Sequence, residues 1–469
     1  MSIHVTVIGA YGSAGTAVAG ELVDVPDVEL TLVDDGDPGG GLCILRGCMP
    51  SKEVLSAGAH RFQARHDPRI EGVPEIDLEA VVERKTEHTS SFAQHRRGAV
   101  HDWAEREDVT FHHERARFVD DRTLAVGDRT VEPDYVVVAT GSSVNVPDLP
   151  GMDAVEYMTS ADVLDATAFP DSGVVMGFGY VGMELVPYLA EAGGMDLAVV
   201  EHDARPLDEA DPAFGEAVLD LYREQFDLTI PTGVYERRVE ETADGGVRVH
   251  LDGESGEQVL EADQLFCFTG RKPTLEGLGL EEAGLDPQPG WVEDTMQARD
   301  GEYVFVVGDA NGKEPILHVA KEQGFRAAEN ILAHARGESL VPYENVHHHV
   351  VFSGLGVYPF ARVGHNEQTA REAGYDVAVA TRAAEDDGVF KTKDVPEGLA
   401  RLVVDRTDGT VLGYQGLHYH ADVMAKTMQV VVEMGLDVRE VPDRSYHPTT
   451  PEILDGLLRE TAEAIEADE

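Results

Sequence analysis

A pattern of apolar strand, glycine-rich turn, small-residue helix and second strand occurs twice in this chain, and it constrains the fold strongly. In the first copy, the apolar run 3–8 leads into Gly9, Gly12 and Gly15, and the second strand ends in Asp34. At such a turn, uncovered backbone N–H groups face a pyrophosphate, and the acid at the strand end binds a ribose hydroxyl. We interpret this stretch as a dinucleotide-binding βαβ unit.

The second copy has the regular G-x-G-x-x-G spacing, whereas the first does not. An apolar strand precedes Gly177, Gly179 and Gly182, and the next strand ends in Glu201. In the first copy Tyr11 stands where the regular spacing would place the second glycine, so we expect a turn that is one residue longer. Two such units predict an α/β fold with two dinucleotide-binding, Rossmann-like domains.

Two of the three cysteines, Cys43 and Cys48, are separated by four residues. Two such thiols can bond where the backbone departs from a regular helix, which Gly47 would ease, and a helix N-terminus would make one of them a ready thiolate. A structural zinc site needs four ligands, and a structural disulfide fits poorly with so few cysteines and no signal peptide. We predict a reversible dithiol–disulfide pair, with buried bystander thiols as the alternative. Cys267 lies in an apolar strand and is interpreted as a core residue.

Residues 40–52 read G-G-L-C-I-L-R-G-C-M-P-S-K. This segment resembles the redox-active disulfide motif, G-G-x-C-x4-C-x-P-S/K-K, of the flavin-dependent pyridine nucleotide–disulfide oxidoreductases. That family includes dihydrolipoamide dehydrogenase, glutathione reductase and mercuric reductase, and the resemblance covers nearly the whole chain. It implies a homodimer with a shared active site that binds FAD and NAD(P)H and reduces a small-molecule disulfide.

The resemblance also implies a set of catalytic residues. Residues 447–452, H-P-T-T-P-E, match the family's acid–base pair, in which Glu452 orients the His447 imidazole that serves the partner subunit's disulfide. A histidine poised near neutral pH can take a proton from one thiol and give it to a leaving one. By family analogy Cys43 attacks the substrate and Cys48 is the thiolate beside the flavin. The implied catalytic residues are Cys43, Cys48, His447, Glu452 and the pair Lys52 and Glu184 near the flavin.

Cofactor positions follow from the same resemblance. The strand that ends at Thr140 and Gly141 resembles the family's second flavin motif, and Tyr180 occupies the position of a lid over the nicotinamide side of the flavin. The residues predicted to bind FAD are Gly9, Gly12, Gly15, Asp34, Thr140, Gly141, Gly308 and Asp309. The residues predicted to bind the nicotinamide dinucleotide are Gly177, Gly179, Tyr180, Gly182, Glu201, His202, Arg205 and Gly270.

The order of the motifs divides the chain into four segments. We predict an FAD-binding domain in two parts, 1–150 and 271–341, a nicotinamide-binding domain at 151–270, and an α+β dimerisation domain at 342–469. From about residue 342 the pattern changes to shorter strands and turns. The consecutive histidines 347–349 would alternate between the faces of a strand, so we predict no metal site.

The choice of nicotinamide stays open at the level of residues. Glu201 at its strand end would hold a free ribose 2′-hydroxyl, which favours NADH. His202 and Arg205 follow at once and could bring positive charge to a 2′-phosphate. The residues alone lean slightly to NADH.

The acidic composition limits the partners. Asp and Glu number 88 against 37 Lys and Arg, which gives a formal net charge of −51. Such a surface repels nucleic acid and anionic membranes, and it indicates a high-salt interior where self-repulsion is screened. The sequence contains no run of about 18 apolar residues, so we predict no membrane span. We expect a cytoplasmic protein with no nucleic-acid or membrane partner.

The divergent cysteine motif on so acidic a chain looks most like the bis-γ-glutamylcystine reductases of halophilic archaea. That resemblance implies bis-γ-glutamylcystine as substrate and NADPH as the preferred donor. Arg46 is a candidate for binding substrate carboxylates, with His418 and His420 as weaker candidates. The alternatives are a dihydrolipoamide dehydrogenase and a non-catalytic flavin-binding redox sensor, and the intact cysteine pair with His447 argues against the sensor.

Overall fold

The computed structural model describes residues 2–254 and 256–467. Its helices in this part of the chain are α1 (Ser13–Leu22), α2 (Leu42–Leu45), α3 (Cys48–His66), α4 (Leu78–Trp103), α5 (Ser160–Asp165), α6 (Tyr180–Glu191), α7 (Pro212–Phe226), α8 (Leu317–Ala335), α9 (Glu367–Glu372), α10 (Gly388–Lys393), α11 (Ala421–Glu433) and α12 (Glu452–Glu466). None of these helices is long and apolar enough to cross a membrane.

The strands of the described chain outnumber these helices. They are β1 (Ile3–Ile8), β2 (Val28–Val33), β3 (Val109–His112), β4 (Ala116–Asp120), β5 (Thr123–Val126), β6 (Arg129–Val131), β7 (Tyr135–Val138), β8 (Ser142–Val144), β9 (Tyr157–Thr159), β10 (Ser172–Met176), β11 (Asp196–Val200), β12 (Val234–Glu241), β13 (Val247–Gly253), β14 (Gly256–Ala262), β15 (Gln264–Cys267), β16 (Arg271–Pro273), β17 (Gln297–Ala298), β18 (Gly301–Val306), β19 (His348–Val351), β20 (Phe360–Gly364), β21 (Val377–Ala383), β22 (Leu399–Asp405) and β23 (Val411–Leu417).

The chain divides into two compact units. The first contains Met1–Pro50, Glu83–Asn145 and Arg271–Asn345. The second contains Ser51–Val82, Val146–Gly270 and Val346–Glu469.

A six-stranded sheet forms the centre of the first unit, in the order β17-β18-β7-β1-β2-β3. Strands β18, β7, β1, β2 and β3 run parallel, and β1 is buried between β7 and β2, which explains its run of apolar residues. The carboxyl ends of parallel strands meet at one edge of a sheet, where α/β proteins bind ligands. Gly9 follows β1 and Asp34 follows β2, so the predicted FAD residues lie at this edge.

The second unit contains a parallel sheet, β11-β10-β15-β9, and an antiparallel five-stranded sheet, β19-β20-β23-β22-β21. In the parallel sheet Gly177 follows β10 and Glu201 follows β11. Helices α11 and α12 pack on the antiparallel sheet, with Met424, Met428 and Leu457 buried. The predicted α/β fold with two Rossmann-like parts and a following α+β part is confirmed.

The two glycine turns differ in length. Residues 9–12 separate β1 from α1, whereas residues 177–179 separate β10 from α6. A Cβ on Gly15 would lie 2.2 Å from the Gly9 carbonyl oxygen, so the start of α1 packs directly against the turn. The longer first turn accommodates Tyr11, whose side chain is buried.

A buried hydroxyl offers a test of the packing in the second unit. The fully buried Tyr222 hydroxyl donates to the Met183 carbonyl and accepts the Gly354 N–H at 3.0 Å. Replacing Tyr222 by Phe leaves both backbone groups unpaired, so we expect urea unfolding to show a loss of about 1–3 kcal/mol in the free energy of unfolding. The control Tyr235→Phe changes a side chain that is 47% exposed and should cost less than about 0.5 kcal/mol. Equal losses in the two variants would contradict the prediction.

Candidate functional site

The two predicted redox cysteines are in contact. Cys43 lies in the single turn α2, and Cys48 begins the 19-residue helix α3. A Cβ on Gly47 would lie 3.2 Å from the Cys43 Cα, so the glycine lets the chain fold back between the two elements. The Cys43 thiol hydrogen-bonds the Cys48 side chain.

Cys43 is a thiol at neutral pH. The hydrogen bond to Cys48, followed by burial, raises the pKa of Cys43 above its ordinary value. The Arg96 guanidinium, which donates to the Tyr11 carbonyl at 3.3 Å and to the Thr16 hydroxyl at 3.1 Å, acts in the opposite direction because its charge favours the thiolate. The expected ready thiolate is therefore not Cys43, which needs a base to react, and Cys48 at the start of α3 is the remaining candidate.

The glycine backbone at the edge of the six-stranded sheet fits a pyrophosphate. Gly9 adopts a φ of +95°, and a Cβ there would lie 2.3 Å from the Ala139 carbonyl oxygen. A Cβ on Gly41 would lie 3.1 Å from the Gly12 Cα, so the cysteine segment closes over the turn. Bare backbone at the start of the ten-residue helix α1 is what an anionic diphosphate needs. The residues present thus fit the diphosphate of FAD.

Asp34 and Asp309 each accept a hydrogen bond from the protein. The Asp34 carboxylate accepts the Tyr11 N–H and the Gly36 N–H, each at 2.9 Å, and burial raises the pKa of Asp34. The Ser142 hydroxyl donates to Asp309 Oδ2 at 2.5 Å. A carboxylate oxygen can accept a second hydrogen bond, so both acids keep capacity for hydroxyl groups of a cofactor. Sequence reasoning missed Ser142, although it directly follows the motif at Gly141.

The other predicted FAD residues lie on the same unit. The Thr140 hydroxyl donates to the Thr274 carbonyl at 2.7 Å, which ties the second flavin motif to the returning segment. Gly141 has a φ of +68° and open space where a side chain would be, and Gly308 has a φ of +67°. These conformations explain why glycine stands at both positions.

The residues around Glu201 carry charges of both signs. Glu201 is buried, its carboxylate accepts the Asp203 N–H at 2.8 Å, and burial raises its pKa. His202 Nε2 lies 2.6 Å from a carboxylate oxygen of Glu236. Arg205 makes no ion pair with any residue that the structure describes, so its positive charge is available to a ligand.

Tyr180 is held in place by two residues that sequence reasoning missed. Its hydroxyl donates to Glu209 Oε1 at 2.7 Å and lies 3.2 Å from His349 Nε2. Burial lowers the pKa of His349, so the imidazole is neutral. No local pattern could have indicated this contact, because Glu209 is 29 residues and His349 169 residues away along the chain.

Lys52 and Glu184 form the ion pair that the resemblance implies. Lys52 Nζ lies 2.5 Å from Glu184 Oε2 and 4.4 Å from the centre of the Phe352 ring. The other oxygen of Glu184 accepts the Phe352 N–H at 3.1 Å. Phe352 had no sequence signal, yet it fixes both members of the pair.

His447 and Glu452 lie side by side at the start of α12. His447 Nδ1 is 3.1 Å from each oxygen of Glu452, whose Oε1 also accepts the Thr449 N–H at 2.8 Å. The bond from Thr449, followed by that to His447, lowers the pKa of Glu452. The His447 side chain is 79% exposed, so with Nδ1 fixed by the carboxylate its Nε2 is open to a substrate.

The substrate candidates differ in exposure. Arg46 is exposed, and His420 is half-buried. His418 is fully buried between the Tyr414 hydroxyl and the Tyr419 carbonyl, so it cannot reach a substrate and the expectation for it is wrong.

The sequence also draws attention to Cys267 and to the three consecutive histidines at 347–349. Cys267 is buried in β15, and burial raises its pKa to about 12. His347 Nε2 lies 3.1 Å from His349 Nδ1. Within residues 2–254 and 256–467, no group of three or more His, Cys, Asp or Glu side chains is arranged to hold a metal ion.

Family models match most of the chain. The model for pyridine nucleotide-disulphide oxidoreductases matches residues 3–324, and the model for the dimerisation domain of the same enzymes matches residues 349–457.

Similar proteins include mercuric reductases and dihydrolipoyl dehydrogenases. Mercuric reductase of Bacillus cereus is 27% identical over 92% of this chain and 67% of its own length. Dihydrolipoyl dehydrogenase of Haloferax volcanii is 29% identical over 91% of this chain and 89% of its own length. The same enzyme of Halobacterium salinarum is 29% identical over 96% of this chain and 94% of its own length.

Solved structures share the fold. LpdA from Mycobacterium tuberculosis superposes with a TM-score of 0.83 at 21% identity, over 98% of this chain and 99% of that chain. The HOCl-induced flavoprotein disulfide reductase RclA from Escherichia coli gives a TM-score of 0.81 at 21% identity, over 97% and 99% of the two chains.

The buried His418 predicts a pH-dependent stability. Burial lowers its pKa to about 4 from an ordinary value of 6.5. The unfolded chain therefore binds a proton that the folded chain does not, so stability is full above pH 6.5 and falls as the pH drops toward 4. Between pH 7 and 4, urea unfolding should show that the wild type loses about 3 kcal/mol more than His418→Gln. The control His60→Gln, at an exposed histidine, should keep the wild-type pH dependence, and the same slope in all three proteins would contradict the prediction.

Proposed function

Since the chain belongs to the pyridine nucleotide-disulphide oxidoreductase family, we propose that it is an FAD-dependent NADPH:disulfide oxidoreductase that reduces bis-γ-glutamylcystine to γ-glutamylcysteine. The observation that carries the proposal is the contact between the Cys43 and Cys48 thiols. A pair of cysteines in contact at the start of a long helix can alternate between dithiol and disulfide, and a non-catalytic flavin-binding sensor would not need the His447–Glu452 pair as well.

The thiol chemistry follows from the two cysteines and one base. The Cys43 thiol, whose pKa is raised, gives its proton to His447 Nε2 and attacks one sulfur of the substrate disulfide. The first γ-glutamylcysteine leaves and takes that proton from His447. Cys48, as the thiolate, then attacks the Cys43 sulfur of the mixed disulfide. This step leaves the Cys43–Cys48 disulfide and releases the second γ-glutamylcysteine as a thiolate, which takes a proton from solvent.

Glu452 keeps His447 ready for both proton transfers. Its carboxylate fixes Nδ1 at 3.1 Å and stabilises the imidazolium that forms when Nε2 takes a proton. The family arrangement implies a homodimer in which His447 of the partner subunit serves the cysteines, and the match to a dimerisation domain over residues 349–457 supports it.

Two cofactors complete the cycle. When bound, FAD supplies the electron pair that reopens the Cys43–Cys48 disulfide, and it receives that pair from the nicotinamide dinucleotide. The glycine turn 9–12 and Asp34 would hold the adenosine diphosphate part of FAD, and Asp309 would hold the ribityl chain of FAD. Lys52, held by Glu184, would lie near its ring system as the resemblance implies.

NADPH is the proposed donor because of Arg205. Its unpaired guanidinium follows closely after β11, where the 2′-position of the ribose binds in Rossmann-like units. Glu201 is buried and bonded to the Asp203 N–H, which turns part of its carboxylate away from a ligand. NADH is the competing donor, since Glu201 and Asp203 together disfavour a phosphate.

A dihydrolipoyl dehydrogenase is the second candidate. The two haloarchaeal relatives with that activity are each 29% identical and align over 89% and 94% of their own lengths. Lipoamide and bis-γ-glutamylcystine differ in charge, so activity with each decides between the two functions.

Steady-state turnover tests the proposed function. We expect NADPH-driven reduction of bis-γ-glutamylcystine at molar salt, with oxidised glutathione and lipoamide as much poorer substrates. Cys43→Ser and Cys48→Ser should each abolish turnover, because Cys43 is needed to attack the substrate and Cys48 is needed to resolve the mixed disulfide. Cys267→Ser, at the buried cysteine, is the matched control and should keep it. Preference for lipoamide with NADH would favour the second candidate, and unchanged turnover in Cys43→Ser would rule out both.

The donor assignment has its own test at Arg205. We expect Arg205→Gln to raise the KM for NADPH about tenfold, because a charge-assisted bond to the 2′-phosphate is lost, and to leave the KM for NADH unchanged. Arg237→Gln removes an arginine that is paired with Asp252 at 2.9 Å and should change neither constant. Equal effects of Arg205→Gln on both donors would contradict an NADPH site.

A further inference from the structure

An aromatic pair lies just beyond the end of β11 in the second unit. His202 is the second residue after this strand, and its imidazole lies against the Tyr235 ring, with ring centres 4.8 Å apart and planes inclined by 33°. Tyr235 is 47% exposed, so nearly half of its surface is open to a ligand. An exposed aromatic ring that is held in place offers a surface on which a planar ligand can stack.

Backbone hydrogen bonds hold the segment before Tyr235 at the edge of the sheet where β11 ends. The Glu201 N–H donates to the Pro231 carbonyl at 3.1 Å. The Gly233 N–H donates to the Asp203 carbonyl at 2.9 Å. In Rossmann-like units the adenosine half of a dinucleotide binds at this edge, beside the acid that ends the second strand. The aromatic pair therefore stands where the adenosine half is expected.

A buried carboxylate fixes the orientation of the pair. His202 Nε2 lies 2.6 Å from Glu236 Oε2, and the Glu236 side chain is only 6% exposed. The register of β12 against β13 shifts between Glu236 and Arg238, as in a β-bulge. Because a bulge re-aims side chains, Tyr235 and Glu236 can contact the same imidazole although they are successive residues. A ring fixed in this way loses little freedom when a ligand stacks on it, so the pair is pre-organised for binding.

We propose that Tyr235 and His202 form the platform on which the adenine ring of the nicotinamide dinucleotide stacks. Adenine has a flat π-face, and its stacking on an aromatic side chain needs no charge on the protein. An uncharged contact suits this chain, because a formal net charge of −51 provides no general attraction for an anionic dinucleotide. Glu236, which acts through His202, is a positioning residue.

The platform and Arg205 contribute differently to donor binding. NADPH and NADH carry the same adenine and differ in the 2′-phosphate, for which Arg205 is proposed. Loss of the Tyr235 ring should therefore weaken both donors equally, whereas loss of the Arg205 charge should weaken NADPH alone. The platform deepens the proposed function and rests on it, since it requires a nicotinamide dinucleotide as the donor.

Kinetics with three donors test the platform in the holoenzyme. Tyr235→Ala should raise the KM for NADPH and for NADH about tenfold, with kcat near the wild-type value, because the stacking of the base is lost. The KM for reduced nicotinamide mononucleotide, which has no adenine, should stay at the wild-type value. Tyr235→Phe keeps the ring and should keep the wild-type KM for both dinucleotides. An equal rise in the KM for the mononucleotide would overturn the proposal, since it would indicate damage to the edge of the sheet.

Tyr375→Ala is the matched control for the loss of an exposed tyrosine. Tyr375 is 40% exposed, and its ring centre lies 5.9 Å from that of a histidine, His365, but it precedes β21 in the α+β part. This variant should leave all three KM values unchanged. A rise in Tyr375→Ala as large as that in Tyr235→Ala would count against a specific platform.

A binding measurement separates this proposal from the proposed function. The probe is 5′-ADP, which carries the adenine but no nicotinamide, so calorimetry with the holoenzyme reads the platform without turnover. Tyr235→Ala should weaken the binding of 5′-ADP about tenfold relative to wild type and Tyr375→Ala. If this loss is seen but bis-γ-glutamylcystine is not reduced, the proposed function fails and the platform stands. If bis-γ-glutamylcystine is reduced with NADPH and 5′-ADP binds equally to wild type and Tyr235→Ala, or to neither, the platform fails alone.

Discussion

The close approach of backbone to backbone at the two glycine turns is the constraint on which both cofactor regions depend. A Cβ on Gly9 would lie 2.3 Å from the Ala139 carbonyl oxygen, and one on Gly177 would lie 2.5 Å from the Phe268 carbonyl oxygen. Both glycines also have a positive φ, near +95° and +97°. Any side chain there would push a central strand away from its neighbour, and the edge of the sheet that collects the cofactor residues would open.

Positive charges are few in this chain, and several lie where the proposed chemistry needs them. Arg96 favours the thiolate of Cys43, and Lys52 is fixed by Glu184 and Phe352. With 88 acidic residues, long-range electrostatics cannot attract an anionic cofactor or substrate, so local cations must do so. Arg205, which makes no ion pair within the described residues, fits this pattern because it lies beside a region proposed to bind an anion.

Cys43 and His447, between which the proposed function transfers a proton, differ in their exposure to solvent. Hydrogen bonding and burial keep Cys43 protonated, which protects it from unwanted oxidation but makes it dependent on a base. His447 is largely exposed and is oriented by Glu452, so it can exchange protons with substrate and solvent. Under the proposed function, the Cys43 thiol therefore reacts only when a base is brought to it.

The sequence by itself determined the α/β fold, the two glycine turns and the candidate residues that stand in short motifs, such as Cys43, Cys48, His447 and Glu452. These features are encoded within a few neighbouring residues, because turns, helix starts and paired side chains at close spacing are local properties. Only the tertiary structure decided that Tyr180 bonds Glu209 and His349, that Phe352 fixes Lys52, and that His418 is buried. Those contacts join strands and helices that are distant along the chain, so burial and charge at each position depend on packing that no local pattern contains.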